Sequence, residues 1–162
     1  MSPSGTPLRY DVALDPSQEE VEAIERGLHA FNLAHLGEDV IYDYHPVAVV
    51  ARDAQDQIVG GIHGELCWDW LYIKSAWVAE SQRGRGVGTR LLAALEEAAL
   101  DRGFSRAHLE TTDFQALAFY LKNGYQVFGR LPGKPAGHTW YYLKKDLSVW
   151  PDGPGSSSKE ND

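Results

Sequence analysis

Gln82-Arg83-Gly84-Arg85-Gly86-Val87-Gly88-Thr89-Arg90-Leu91-Leu92 sets three alternate glycines between two segments of different periodicity. Upstream, Trp70 to Glu80 is rich in aromatic and β-branched residues, as a buried strand would be. Downstream, Val87, Leu91, Leu92, Leu95, Ala98 and Ala99 recur at helical spacing, which predicts a helix that starts near Gly86 and stops at Gly103. Glycines at such a start let backbone N–H groups approach an anion with no Cβ in the way, and the helix dipole adds a favourable field. The stretch reads as a phosphate cradle. A P-loop would carry Lys and then Ser or Thr after its last glycine, where this chain has Thr89-Arg90. A dinucleotide fingerprint would carry G-x-G-x-x-G near the start of a βαβ unit, whereas Gly84-x-Gly86-x-Gly88 lies halfway along. ATP hydrolysis and dinucleotide binding are both disfavoured.

Working outward, the chain predicts a strand at Leu8 to Leu14 and a helix capped by Asp15 or Ser17 that runs to Asn32, with Pro16 suited to its first turn. Val47 to Arg52 and Ile58 to Trp68 read as a hairpin around Asp53-Ala54-Gln55-Asp56. Gly60, Gly61 and Gly64 in the returning strand suggest bulging or a close backbone approach. After the glycine-rich helix come a strand at Ala107 to Thr111, a helix at Phe114 to Asn123, and strands at Tyr125 to Leu131 and Thr139 to Lys144. This order predicts an α/β fold with a largely antiparallel sheet. Residues 1–146 are read as one domain, long enough for one core, and residues 147–162 as a tail of linker composition expected to be disordered.

The single cysteine, Cys67, excludes an intramolecular disulfide, and no metal-ligand cluster is visible. The polar start Met1-Ser2-Pro3-Ser4-Gly5 and the lack of any apolar run near the ~18 residues of a membrane span predict a soluble, cytoplasmic protein without a membrane partner.

Arg83-Gly84-Arg85-Gly86-Val87-Gly88 fits the spacing Gln/Arg-x-x-Gly-x-Gly/Ala, and with Trp77-Val78 before it and Leu91-Leu92 after it the chain resembles the GNAT superfamily of N-acetyltransferases. A second block, from Thr111-Thr112-Asp113-Phe114-Gln115-Ala116 to Phe119-Tyr120-Leu121-Lys122-Asn123-Gly124-Tyr125, is similar to the family's later helix, which carries Phe-Tyr and ends in Gly-Tyr or Gly-Phe. The ending Gly137-His138-Thr139-Trp140-Tyr141-Tyr142-Leu143-Lys144-Lys145 resembles a small bacterial branch of the family. The resemblance covers residues 40 to 145 or so and implies one domain with a mixed, largely antiparallel twisted sheet, flanking helices and a splayed cofactor cleft.

The resemblance implies acetyl-CoA as cosubstrate, without a metal, and direct attack by a primary amine in a ternary complex. Backbone groups near Trp77 and Val78 would hold the acetyl carbonyl. Backbone amides across Arg83, Gly84, Arg85, Gly86, Val87, Gly88 and Thr89 would bind the pyrophosphate. Asp113 stands where many relatives carry an Asn that contacts the cofactor arm; capping the following helix is its other reading. Tyr120 matches the tyrosine that protonates or hydrogen-bonds the leaving sulfur, and a phenol of pKa ~10 is protonated at neutral pH, as an acid must be. Its bland reading is a core aromatic beside Phe119.

The base stays open. His63, Glu65 and Cys67 share one face of their strand by alternation, so His63 or Glu65 could take the amine's proton. Asp69, at a turn, and Glu110, at a strand end, are further candidates, each with a structural reading beside the catalytic one. Lys74 stands where relatives tend to carry an acid. Trp68, Trp70, Tyr72 and Trp77 could wall an acceptor pocket or pack in the core. His45 and His138 read as structural, and Cys67 as a small buried hydrophobe.

Charge separates along the chain. Residues 1–80 hold 14 acids against 4 Lys/Arg, and residues 81–145 hold 5 acids against 10. In the resembled family the first half lines much of the acceptor side and the second half holds coenzyme A, so a polyanionic cofactor would meet the basic half and a cationic amine the acidic one. A solvated helix face around Glu19, Glu20, Glu22 and Glu25 is the alternative. Nucleic-acid binding is disfavoured at a net charge of −8. The expected activity is acetyl transfer to a small polar or cationic amine, such as an antibiotic or polyamine. Alternatives are a non-catalytic acyl-CoA sensor, a protein N-acetyltransferase, a toxin acting on charged transfer RNA and an interaction module. The family also makes a homodimer an expected assembly.

Overall fold

The computed structural model describes residues 8–41 and 43–148, in two compact units that divide after residue 42. In the first unit, helix α1 (Gln18–Leu36) begins with a capping box: the Ser17 Oγ accepts from the Glu20 N–H, and the Glu20 carboxylate accepts from the Ser17 N–H at 2.8 Å. Pro16 therefore precedes the cap instead of filling the first turn. The helix continues past Asn32 until Gly37, whose φ of 79° only glycine adopts freely and whose N–H donates to the Leu33 carbonyl. A short helix, α2 (Glu38–Ile41), follows. The strand expected at Leu8 to Leu14 does not form. Leu8, Tyr10, Val12 and Leu14 alternate as a strand should, but no described strand pairs with them, and without a ladder the segment is irregular and exposed.

The second unit is a six-stranded sheet in the order β1-β2-β3-β4-β6-β5. Its strands are β1 (Tyr44–Arg52), β2 (Ile58–Cys67), β3 (Trp70–Val78), β4 (Arg106–Thr112), β5 (Gln126–Pro132) and β6 (Thr139–Asp146). Only β3 and β4 run parallel, joined by helix α3 (Val87–Leu100). Every other neighbouring pair is antiparallel, as the pattern predicts. The β2–β3 hairpin turns through Trp68 and Asp69, both at positive φ, the geometry a two-residue hairpin loop needs to match strand twist.

One sheet face is apolar because alternate residues are: Ile62 and Leu66, Leu71 and Ile73, Ala107 and Leu109, and Leu143 bury against Leu91, Leu92, Leu95 and Ala99 of α3. Each fully buried leucine contributes about 1.5–3 kcal/mol, so this stripe holds α3 across the sheet. Period-2 alternation puts Glu65, Cys67, Trp70, Tyr72, His108 and Glu110 on the opposite face.

Several boundaries move. A 3-10 turn (Glu80–Gln82) takes the end expected for β3. Helix α4 is shorter than expected (Leu117–Lys122), because residues 113–116 form a turn ahead of it. Leu147, expected to open the disordered tail, is buried to 5% exposure and its N–H donates to the Ser105 carbonyl. The packed chain thus passes the domain end expected at residue 146. The remainder of the expected tail, 149–162, lies outside the described residues.

Candidate active site

β3 and β4 pair over four rungs, from Trp70 with Arg106 to Ile73 with Leu109. Beyond that, β3 bonds only to β2, and β4 carries Glu110, Thr111 and Thr112 on β6 alone. The cause lies in β3. Its register with β2 passes from Ser75 opposite His63 to Ile73 opposite Gly64, so Lys74 is an extra residue. Such a bulge bends its strand and increases the twist, which turns β3 away from β4. Gly64 makes this possible, since a Cβ there would overlap the Tyr72 carbonyl oxygen. The result is the splayed cleft that the resemblance implies.

Above the opening, Gly84 and Gly86 have φ of 72° and 74°, and nothing lies within 4 Å of where either would carry a Cβ. Gly86 is the N-cap of α3 and supplies no side-chain hydrogen bond, which leaves the N–H groups of the first helical turn to an outside acceptor. The arginines fold back on the loop: Arg83 Nε donates to the Val78 carbonyl at 3.0 Å and Arg85 to the Gln82 side chain at 3.0 Å. A pyrophosphate fits this site through main-chain amides. Gly88 has a different reason to be glycine: its missing Cβ would stand 3.3 Å from the Phe119 ring, so it lets α4 close on the first turn of α3.

That contact sets the helix that carries Tyr120 against the first turn of α3. Tyr120 is 4% exposed, packs edge-on against Phe119 and Tyr125, and burial pushes its phenol up to about 12. Asp113 does not cap α4, whose N-cap is Ala116. One carboxylate oxygen accepts from the Thr139 N–H at 3.2 Å and the other pairs with His138 at 3.0 Å, tying the end of β4 to the start of β6. Both of its oxygens are thereby engaged within the fold. Beside it, the buried Thr112 hydroxyl is the only buried side-chain polar atom without a partner among the described residues.

The profile of the acetyltransferase (GNAT) family matches residues 17–125. The chain belongs to the GNAT family of acetyltransferases. It is 35% identical over 111 residues to blasticidin-S acetyltransferase of Streptomyces morookaense, which covers 66% of this chain and 82% of that protein. It is 33% identical over 135 residues to acetyltransferase Atu2258 of Agrobacterium fabrum, with coverage of 83% and 96%. The crystal structure of a Bacillus cereus acetyltransferase superposes with a TM-score of 0.76 at 29% identity, covering 84% of this chain and 97% of that one.

Within this GNAT fold, the sheet face opposite α3 carries the polar candidates. Lys74, the bulge residue, pairs with the Glu65 carboxylate and donates to the Tyr44 hydroxyl at 3.3 Å; Tyr44 donates to the same Glu65 oxygen. Burial alone would raise the Glu65 carboxyl, but the Lys74 and Tyr44 hydrogen bonds and the Lys74 charge outweigh it and hold the carboxyl below its ordinary value. Glu65 is therefore a bound anion and a poor base. Glu110 accepts from the Trp140 indole at 3.0 Å. Asp69 sits on the hairpin turn beside Arg106, and His45 pairs with Asp43 in the wall of a 420 Å³ cavity that also includes Asp69 and Gly103, at the end of the sheet away from the cradle. His63 is exposed, between Ala48 and Ser75 in the register.

Trp68 and Trp77 are half exposed, at 52% and 54%, so the aromatic cluster does not form a core. Trp70 and Tyr72 instead flank His108, Tyr72 stacked on it at 4.7 Å and Trp70 edge-on at 5.6 Å. Cys67 is only partly buried; it lines a 380 Å³ cavity with Trp70, His108, Phe128 and Lys144, and burial raises its thiol. Tyr44 and His108 were not among the sequence candidates. Alternation with Ala107 and Leu109 marks the face of His108, but only the strand order sets it beside Tyr72.

Proposed function

We propose that this chain moves the acetyl group of acetyl-CoA to a primary amine of a small polar or cationic acceptor by direct attack. The observation that carries the reading is the opening between β3 and β4, bounded by an open glycine cradle and by the helix of Tyr120. Acetyl transfer requires a neutral amine, a polarised thioester carbonyl and a proton for the departing sulfur. The amides from Arg83 to Thr89 bind the pyrophosphate. The free edge of β3 up to Trp77 and Val78 runs along the pantetheine arm and holds the acetyl carbonyl. Tyr120, protonated throughout the neutral range, gives its proton to the sulfur. Bound coenzyme supplies the activated acyl group, and the chain supplies orientation and proton control.

A small-molecule acceptor is supported by the likeness to blasticidin-S acetyltransferase, and a cationic one by the acidic first half of the chain. One observation favours a non-catalytic acyl-CoA sensor instead: Glu65 and Glu110 are both engaged within the fold. Calorimetric titration with acetyl-CoA, followed by thiol release against aminoglycosides, nucleoside antibiotics, polyamines and amino acids, separates the two. Amine-dependent thiol release supports the enzyme, and binding without release for any amine supports the sensor.

A further inference from the structure

We propose that His108 accepts the proton of the acceptor ammonium, on the sheet face opposite α3 and one rung below the point where β3 and β4 part. The inference rests on the acetyl-transfer reading above and names the base which that reading lacks.

Tyr72 with His108 is the rung beneath Ile73 with Leu109, the last that joins the two strands. His108 thus lies next to the opening, and it also lines the 380 Å³ cavity. An acceptor seated in that cavity would bring its amine past the imidazole on the way to the thioester.

The other candidates are committed: Glu65 to Lys74 and Tyr44, Glu110 to Trp140, Asp69 to Arg106. His108 makes ring contacts with Trp70 and Tyr72, while neither of its nitrogens bonds to a described residue. The stack fixes the ring plane and leaves the nitrogens at its edge.

The surrounding groups set its charge. From β2 come Glu65 and Cys67, from β3 Tyr72 and Lys74, from β4 Glu110 and Arg106, and from β6 Lys144 and Tyr142. Burial holds the imidazole below its ordinary value, with Glu110 and Glu65 pulling the other way. The ring is therefore neutral at pH 7, and the Glu110 charge favours the imidazolium once it forms, while Glu65 is largely offset by Lys74. His63 has Ala48 and Ser75 as its register neighbours and no carboxylate there.

The step balances. One ammonium proton passes to His108, directly or through a single water, and the freed lone pair forms the C–N bond as the C–S bond breaks. The second proton of the nitrogen ends on sulfur by way of Tyr120, and His108 returns its own to solvent. Each turnover yields amide, thiol and one proton.

The test is the pH profile of kcat/KM for the full chain with an amine that supports thiol release, compared with His108→Phe, which keeps the stack on Tyr72, and with His108→Gly supplemented with free imidazole. His63→Gln is run in parallel. The assignment expects an acid limb in the wild type below the ordinary imidazole range and its disappearance in His108→Phe. It also expects a loss of about 100-fold or more in kcat with acetyl-CoA affinity kept, and partial rescue of His108→Gly by imidazole. Survival of the acid limb in His108→Phe, or its disappearance in His63→Gln instead, overturns the assignment and leaves acetyl transfer standing. Absence of thiol release by the wild type with every amine overturns the transfer reading, and this assignment with it.

Discussion

The Lys74 ammonium meets the Glu65 carboxylate at the bulge that turns β3 away from β4. The residue that opens the cleft is also the one that neutralises the carboxylate beside it. Lys74→Met removes both the donor and the charge and leaves burial opposed only by the Tyr44 hydrogen bond and the His108 charge, so the Glu65 carboxyl is expected to titrate upward. In the wild type its folded pKa lies below the unfolded one. Its stabilising contribution is therefore present above the ordinary value of 4.5 and lost as pH falls through the folded pKa. NMR titration of labelled glutamate carboxyls reads the shift, and an unchanged Glu65 curve would show that the pair is not formed in solution.

Gly86→Asp sets a carboxylate at the open cap of α3. Like charge against a pyrophosphate is expected to weaken acetyl-CoA binding on the order of 100-fold by calorimetry. Gly86→Ala separates strain from charge: at a φ of 74° it should cost about 1 kcal/mol of stability and far less affinity. Equal binding losses for the two variants would count against an anion site.

Tyr120→Phe keeps the ring in its packing against Phe119 and Tyr125 and removes only the hydroxyl. The expected result is a kcat lower by about 10-fold or more with acetyl-CoA affinity within about twofold. Because burial pushes the phenol up to about 12, it stays protonated across the usable range, and no basic limb below pH 10 should belong to it. Full activity of the variant would return Tyr120 to a packing role.

Leu147 and the residues after Ser148 should part ways. Leu147→Ala opens a gap in the core at a side chain that is 5% exposed, with an expected loss of about 2–3 kcal/mol in chemical denaturation. Removal of residues 149–162 should leave the melting temperature and turnover unchanged. A large drop on truncation would mean that the tail docks.

Glu96 joins α3 to the far edge of the sheet, accepting from the Tyr125 hydroxyl at 2.9 Å and pairing with Lys145 at 2.7 Å, both largely buried. Glu96→Ala leaves Lys145 shielded and unpaired and should cost about 2 kcal/mol. The double variant with Lys145→Met should recover part of that. A cycle with no coupling would remove the pair from the account of stability.

Much of the site is local and so was legible before the fold was seen. The glycine cradle, the helix behind it and the Phe119-Tyr120 helix follow from nearest-neighbour rules: positive φ for Gly84 and Gly86, and a period of 3.6 in the leucines. Leu8 to Leu14 shows the limit of such rules. Alternation licenses a strand but does not provide its partner. Leu147 shows the converse, since linker composition on one side of a residue says nothing of a core on the other.

By itself the sequence determined the family and the succession of strands from β1 to β6, and it marked the glycine turn and the Phe119-Tyr120 helix, because each is written within a window of ten or fifteen residues. The tertiary structure alone decided which side chains of different strands meet. Lys74 cancels Glu65, Asp113 holds β6 instead of capping α4, Gly88 serves helix packing, and the His108 nitrogens, beside the opening, bond to no described residue. These outcomes depend on register, and a single bulge changes register for every residue beyond it, which no local pattern encodes.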